Sequence, residues 1–210
     1  MRMSRKEMER RGENLFFSQR HGAPWESLPY WEGAVDYNGC GLVALTMCID
    51  ILTGRELTPE DVYRMRDSAG IDQRRVCDRE ATSICGGDAQ LRFNGMNRRL
   101  FGIESRPLER SAEAFQKALS GENTVIWASS RQTDFYDIRG NKRKVRNGHV
   151  LCFWKYDRGV FYAKDPGLTK ELGNNVPYDE ERLRRWLDAW DYQQFEIGLP
   201  RDKEEEKESI

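Results

Sequence analysis

The run Leu42 to Leu52 constrains this chain more than any other stretch. Leu42, Val43, Leu45, Met47, Ile49, Ile51 and Leu52 place apolar side chains on nearly every face of a helix, and Gly54 closes it. A helix that is apolar all round is buried all round. Immediately ahead stands Asn38-Gly39-Cys40-Gly41. A thiol there sits at the mouth of a buried helix, where unpaired N–H groups and partial positive charge favour anions and can hold an oxyanion.

Composition narrows the classes. At 210 residues the chain is long enough to bury a core in one domain. Its formal net charge is -1, and its arginines are spread among acidic residues. No global field points to nucleic acid or an anionic membrane, so neither is an expected partner. No apolar run approaches the ~20 residues of a bilayer span. The basic start, Met1 to Arg11, lacks the apolar centre and small-residue cleavage site of a signal peptide. A cytoplasmic location is the expectation.

The five cysteines, Cys40, Cys48, Cys77, Cys85 and Cys152, are an odd number, which argues against a complete disulfide framework. Cys48 and Cys152 fall inside apolar segments and read as inert buried thiols. Cys77 and Cys85 flank a polar loop and can pair under oxidation. With only two histidines and no C-x-x-C spacing, neither a zinc site nor any other cofactor is expected.

Along the chain, residues 1–14 read as a charged, helix-compatible arm, and the stretch through Tyr37 as an aromatic, Gly- and Pro-containing loop packed on the body. Thr58-Pro59-Glu60-Asp61 predicts a helix start, with an N-cap, Pro in the first turn and acidic residues after it. That helix runs to about Asp67. Ser68 to Asn94 reads as a long surface excursion, and Leu91 to Phe101 as a helix stopped by Gly102. Ser111 caps a short helix through Leu119. Thr124 to Ala128 is a strand by its β-branched and aromatic content. Arg131 to Asn147 reads as a loop or projecting hairpin, basic from Lys142 to Arg146, where a solvated loop is the first reading and a docking site for an acidic substrate segment the second. His149 to Tyr156 and Val160 to Lys164 form a hairpin through Asp157-Arg158-Gly159. Tyr178 to Trp190 is an amphipathic helix, Gln193 to Leu199 a last strand, and 201–210 an acidic disordered tail. Helices first and antiparallel strands after make the class α+β.

Thiol catalysis needs a nucleophile, a base, a group to orient the base and donors for the oxyanion. Cys40 is the candidate nucleophile. His149, after Gly148 at the head of a strand, is the candidate base. Asp165, at the end of the next strand of the same hairpin, can fix the imidazole tautomer. Gln19, in the loop ahead of the thiol, can donate to an oxyanion with the Cys40 N–H, or is an ordinary loop amide. His21 is a rival base, less rigidly placed than one on a strand. Trp25, Tyr30 and Trp31 read as packing for the loop. Trp186 and Trp190, spaced i and i+4, read as core.

The order of these pieces resembles the papain-like cysteine peptidases, specifically the C39-like branch related to bacteriocin-leader peptidases. The matching segments are Phe16-Phe17-Ser18-Gln19, Trp25, Pro29-Tyr30, Gly39-Cys40-Gly41, Leu52-Thr53-Gly54 and Thr58-Pro59-Glu60, then Gly148-His149-Val150, Tyr156-Asp157 and Asp165-Pro166. The likeness spans about Phe16 to Leu199. The usual Pro-Thr after Cys-Gly is replaced by Leu42-Val43, and Ser68 to Asn94 is longer and more polar than the pattern. The resemblance implies a bacterial papain-like fold, with a buried helix packed on an antiparallel sheet. It makes residues 15–200 the catalytic domain, Cys40 the nucleophile, His149 the general base, Asp165 its partner and Gln19 the oxyanion residue. It also implies a hydrolase acting on a peptide or isopeptide bond of a peptide or protein substrate through a thioester. Deamidation or acyl transfer, and an inactive fold used for binding, are the alternatives.

Overall fold

A computed structural model describes residues 4–31, 33–70, 88–121, 123–130, 134–144, 148–188 and 194–200. The excursion expected over residues 68–94 lies mostly outside these ranges, as do Cys77, Cys85, Trp190 and the segment 201–210. The chain is a mixed helix and antiparallel-sheet fold, organised around one six-stranded sheet.

The chain begins with helix α1 (Arg5–Asn14), capped by the Ser4 side chain on the Glu7 N–H. Two residue pairs, β1 (Pro29–Tyr30) and β2 (Gly33–Ala34), form a small hairpin that leads into a single turn, α2 (Val35–Asn38). Helix α3 (Cys40–Thr53) follows, and every residue from Gly41 to Leu52 is buried. It stops at Gly54, whose φ of 66° is the left-handed conformation that ends helices at little cost for glycine. Helix α4 (Pro59–Ser68) starts with a reciprocal capping box between Thr58 and Asp61, the chemistry its sequence predicts.

Helix α5 spans Asp88–Phe101, so it begins three residues ahead of the expected start. Strand β3 (Glu104–Leu108) was not predicted; a charged edge strand interrupted by Pro107 carries no clean alternation. Then come α6 (Ala112–Ser120), capped by Ser111, and strand β4 (Thr124–Ser130). The short strands β5 (Asp134–Tyr136) and β6 (Lys142–Lys144) pair with each other as a separate hairpin. Strands β7 (His149–Asp157) and β8 (Val160–Lys164) turn through Arg158 and Gly159, both at positive φ. A single turn α7 (Lys170–Gly173) and strand β9 (Val176–Tyr178) come next. Helix α8 (Glu180–Leu187) and strand β10 (Gln194–Gly198) follow. Tyr178 therefore ends a strand rather than starting the helix, which Asp179 caps.

The sheet order is β3-β10-β4-β7-β8-β9, with every neighbour antiparallel. Side chains alternate across it, so β7 sends Val150, Cys152 and Trp154 to one core and Leu151 and Phe153 to the other. On the first face lies α3, against β4 and β7, with α1 and α4 packed on α3 in turn. On the second lie α6 and α8, where Phe153 meets Phe115, Tyr178 and Trp186 edge-on. Two apolar layers on opposite sides of one sheet satisfy the demand that a wholly apolar helix be enclosed.

The arm docks closely. A side-chain carbon at Gly12 would come within 2.2 Å of the Trp154 ring, so glycine lets α1 lie directly on that indole. Met8 of the same helix is fully buried. Lys164 is buried beside the Trp154 ring, with Nζ 2.5 Å from Asn174 Oδ1, and burial lowers its amine to about 7. No helix among the described residues is long and apolar enough to cross a membrane.

Candidate active site

Cys40 is the first residue of α3 and is partly exposed, unlike the helix behind it. The Trp127 indole of β4 donates to the Gly41 carbonyl at 2.9 Å, which pins the helix start to the sheet. Gly39, just ahead, is buried, and a side-chain carbon there would lie 2.6 Å from Val35 Cγ1. The glycine before the thiol is thus a packing requirement of the α2–α3 junction.

His149 opens β7 and is 6 % exposed. Because β8 runs antiparallel to β7, with Lys164 opposite Cys152, the chain leaves β8 at Asp165 close to where β7 begins. His149 Nε2 lies 2.6 Å from Asp165 Oδ1. Asp165 Oδ1 also accepts the Gly167 N–H at 2.9 Å, and Oδ2 accepts from the Arg143 guanidinium of β6. This buried carboxylate therefore has partners on both oxygens. The imidazole is walled on one side by Phe135, edge-on at 5.1 Å between centroids.

The Cys40 thiol is close enough to the same imidazole to help raise its affinity for a proton. Since Nε2 faces Asp165, Nδ1 is the ring nitrogen left for the thiol. Burial works against a charged imidazole here, but Asp165 and then Cys40 outweigh it and raise His149 to about 9. Burial likewise opposes ionisation of Asp165, yet His149 and Arg143 hold its carboxyl down at about 2. Both shifts run in the direction that favours an imidazolium against a carboxylate.

Gln19 is buried and ties the two halves of the site together. Its backbone N–H donates to the Pro166 carbonyl at 2.7 Å, and its Nε2 donates to the Asp36 carbonyl of α2 at 2.8 Å. An amide nitrogen carries two N–H groups, so one remains for another acceptor. Its Oε1 is buried without a hydrogen-bond partner. The loop around it is held by the Trp25 indole donating to the Ser18 carbonyl and by the edge-on Phe17–Trp25 pair. His21, the rival base, is exposed at φ 64°.

The structure thus pairs His149 with Asp165, places Cys40 near the same imidazole, and seats Gln19 between the element before the thiol and the segment after the carboxylate. No family model matches the sequence, and no curated protein matches it either. Among solved structures, one from Bacillus anthracis, provisionally assigned as a C39-like peptidase, matches with a TM-score of 0.52 and 14% identity. The match covers 97% of this chain and all of that one. The fold resembles that of a C39-like peptidase. At that identity the likeness concerns the fold alone.

Two participants were not legible as such in the sequence. Arg143 lies in the basic stretch read as a solvated loop, but it is only 25% exposed and pairs with Asp165. The signal was Phe135, an apolar aromatic in a polar segment. It is buried, and Arg143 stands opposite it across the β5–β6 ladder, so both point inward. Gly167 is the other. A side-chain carbon there would lie 3.1 Å from the His149 ring, 3.2 Å from Arg143 and 3.3 Å from Asp165 Oδ1. Such tight convergence on a glycine has no signature in a single sequence.

Proposed function

We propose that this chain is a papain-like thiol hydrolase that cleaves a peptide or isopeptide bond. The observation that carries the reading is the partly exposed thiol at a buried helix start, near an imidazole whose Nε2 is held by a fully partnered carboxylate. Likeness of fold to a C39-like peptidase supports the same class.

Cys40 Sγ attacks the amide carbonyl as the thiolate, and the carbonyl oxygen takes up the charge. The free N–H of Gln19 Nε2 and the Cys40 backbone N–H stabilise that oxyanion. His149 carries a proton at neutral pH and delivers it from Nδ1 to the leaving amine, so the C–N bond breaks to a thioester. The neutral imidazole then takes a proton from water, whose oxygen displaces Sγ and releases the acid. Asp165 keeps Nε2 protonated and the ring in line throughout.

The test is competitive alkylation with iodoacetamide, read by peptide mass spectrometry, followed by product analysis on a peptide library. Cys40 should label far faster than Cys48, Cys77, Cys85 and Cys152, and His149→Ala should abolish the difference. Equal labelling of all five thiols overturns the catalytic reading. New N-termini support a peptidase, whereas ammonia release without chain cleavage replaces it with a deamidase.

A further inference from the structure

The β5–β6 hairpin is separate from the main sheet, yet its Arg143 reaches the centre of the site. The guanidinium donates to Asp165 Oδ2, and the same Nη2 lies 3.3 Å from His149 Nε2. Both nitrogens carry protons when the imidazole is charged, so that approach is between like charges and not a hydrogen bond. Arg143 stacks toward Phe135, 5.7 Å from the ring centroid, and Phe135 in turn packs edge-on against His149. The hairpin is itself anchored. Asp137 accepts from the Arg139 and Asn141 backbones and from the Asn141 side chain, Ile138 N–H donates to the Leu172 carbonyl, and Arg182 lies over Tyr136.

We infer that Arg143 is a positioning residue of the triad: it locks Asp165 by Oδ2 so that Oδ1 faces His149, and its charge limits how firmly the imidazole keeps its proton. The inference rests on the proposed thiol chemistry for its consequence, but its geometry is independent of it. An aspartate with one free oxygen can rotate about its terminal torsion, which is broad and roughly two-fold. Here Gly167 N–H and His149 fix Oδ1 and Arg143 fixes Oδ2, so rotation breaks all three contacts together. The groups facing His149 are the Cys40 thiol from α3, Asp165 beyond β8 and Arg143 from β6, with the neutral phenol of Tyr178 from β9 near Asp165. Among these Arg143 is the only cation, so its removal favours the imidazolium.

The chain has only two histidines, so a His21→Gln background leaves one imidazole to follow by NMR. In that background Arg143→Gln should raise the His149 titration midpoint by up to about one pH unit, because a like charge 3.3 Å from Nε2 is lost while the Gly167 N–H still holds Asp165 Oδ1 beside the ring. Arg143→Gln should also slow Cys40 alkylation at pH 7 by about tenfold, the order of a loosened orientation contact. Arg143→Lys keeps the charge without the planar fork, so it should leave the midpoint near that of the parent and recover part of the rate. An unmoved or lowered midpoint in Arg143→Gln overturns the inference, whatever the rate does. If instead the parent protein shows no selective Cys40 labelling, the hydrolase reading fails while the midpoint still decides the role of Arg143.

Discussion

Cys40 and Cys48 stand on the same helix, two turns apart, and live in different chemistry. Cys40 heads α3, is partly exposed and meets His149. Cys48 is enclosed on the sheet side, where its Sγ lies 3.4 Å from Cys152 Sγ, and burial pushes its thiol well up. The helix supplies both with the same backbone. What separates them is the strand position opposite: Cys48 faces the middle of β7, and Cys40 faces its first residue. The one thiol lies where the sheet runs out and a polar network begins, and the other lies deep in the apolar layer.

That contrast breaks most sharply under substitution. Cys40→Ala should remove turnover by ~10⁴-fold or more, as loss of a catalytic nucleophile does. Cys48→Ala should leave turnover within a factor of a few while lowering the melting temperature by several degrees, because it opens a small gap in a close-packed core. Steady-state kinetics and thermal unfolding on the two variants, side by side, check both. Equal losses of activity at the two positions would erase the distinction.

Asp165→Asn comes next, with turnover expected to fall on the order of 10³-fold, since an amide holds the wrong imidazole tautomer. Cys48 alkylation, which requires opening of the core, should be untouched by that change. Gly167→Ala is a smaller intrusion. Its added carbon crowds His149, Arg143 and Asp165 at 3.1 to 3.3 Å, and a shift of a few tenths of an ångström should slow turnover about tenfold.

The smallest effect is on stability against pH. His149 is raised from 6.5 to about 9, so its contribution is complete below pH 6.5 and is lost as pH rises through 9. Asp165 is lowered from 3.8 to about 2, so its contribution is complete above pH 3.8 and is lost as pH falls through 2. Thermal unfolding across pH should show the plateau between these limits, and His149→Gln should flatten the alkaline fall.

Much of this was legible from short-range signals. Gly54, Thr58-Pro59 and Ser111 mark helix ends because caps and left-handed stops are local chemistry, and Arg158-Gly159 marks the β7–β8 turn for the same reason. The sequence also singled out Cys40, His149 and Asp165, each at or next to an element end with a recognisable neighbour, and the fold pairs the last two. What escaped depends on pairing across space. β3 is a charged edge strand completed by the distant β10, and nothing in Glu104 to Leu108 announces that partner. Arg143 looked solvated because its neighbours in sequence are basic, although its neighbour across the ladder is a buried phenylalanine. The α8 boundary shifted because Tyr178, amphipathic enough for either element, was claimed by β8.

The order of the site along the chain has a temporal consequence. The thiol lies in the first third of the sequence, and its imidazole, carboxylate and guanidinium all arrive later, on β6, β7 and the turn after β8. Synthesis delivers the N-terminal part first. An emerging chain therefore carries a cysteine with no base, on a helix with no sheet to rest on. Any chemistry that needs the thiol and the imidazole together cannot begin while the molecule is still being made, and completed folding is itself the safety catch.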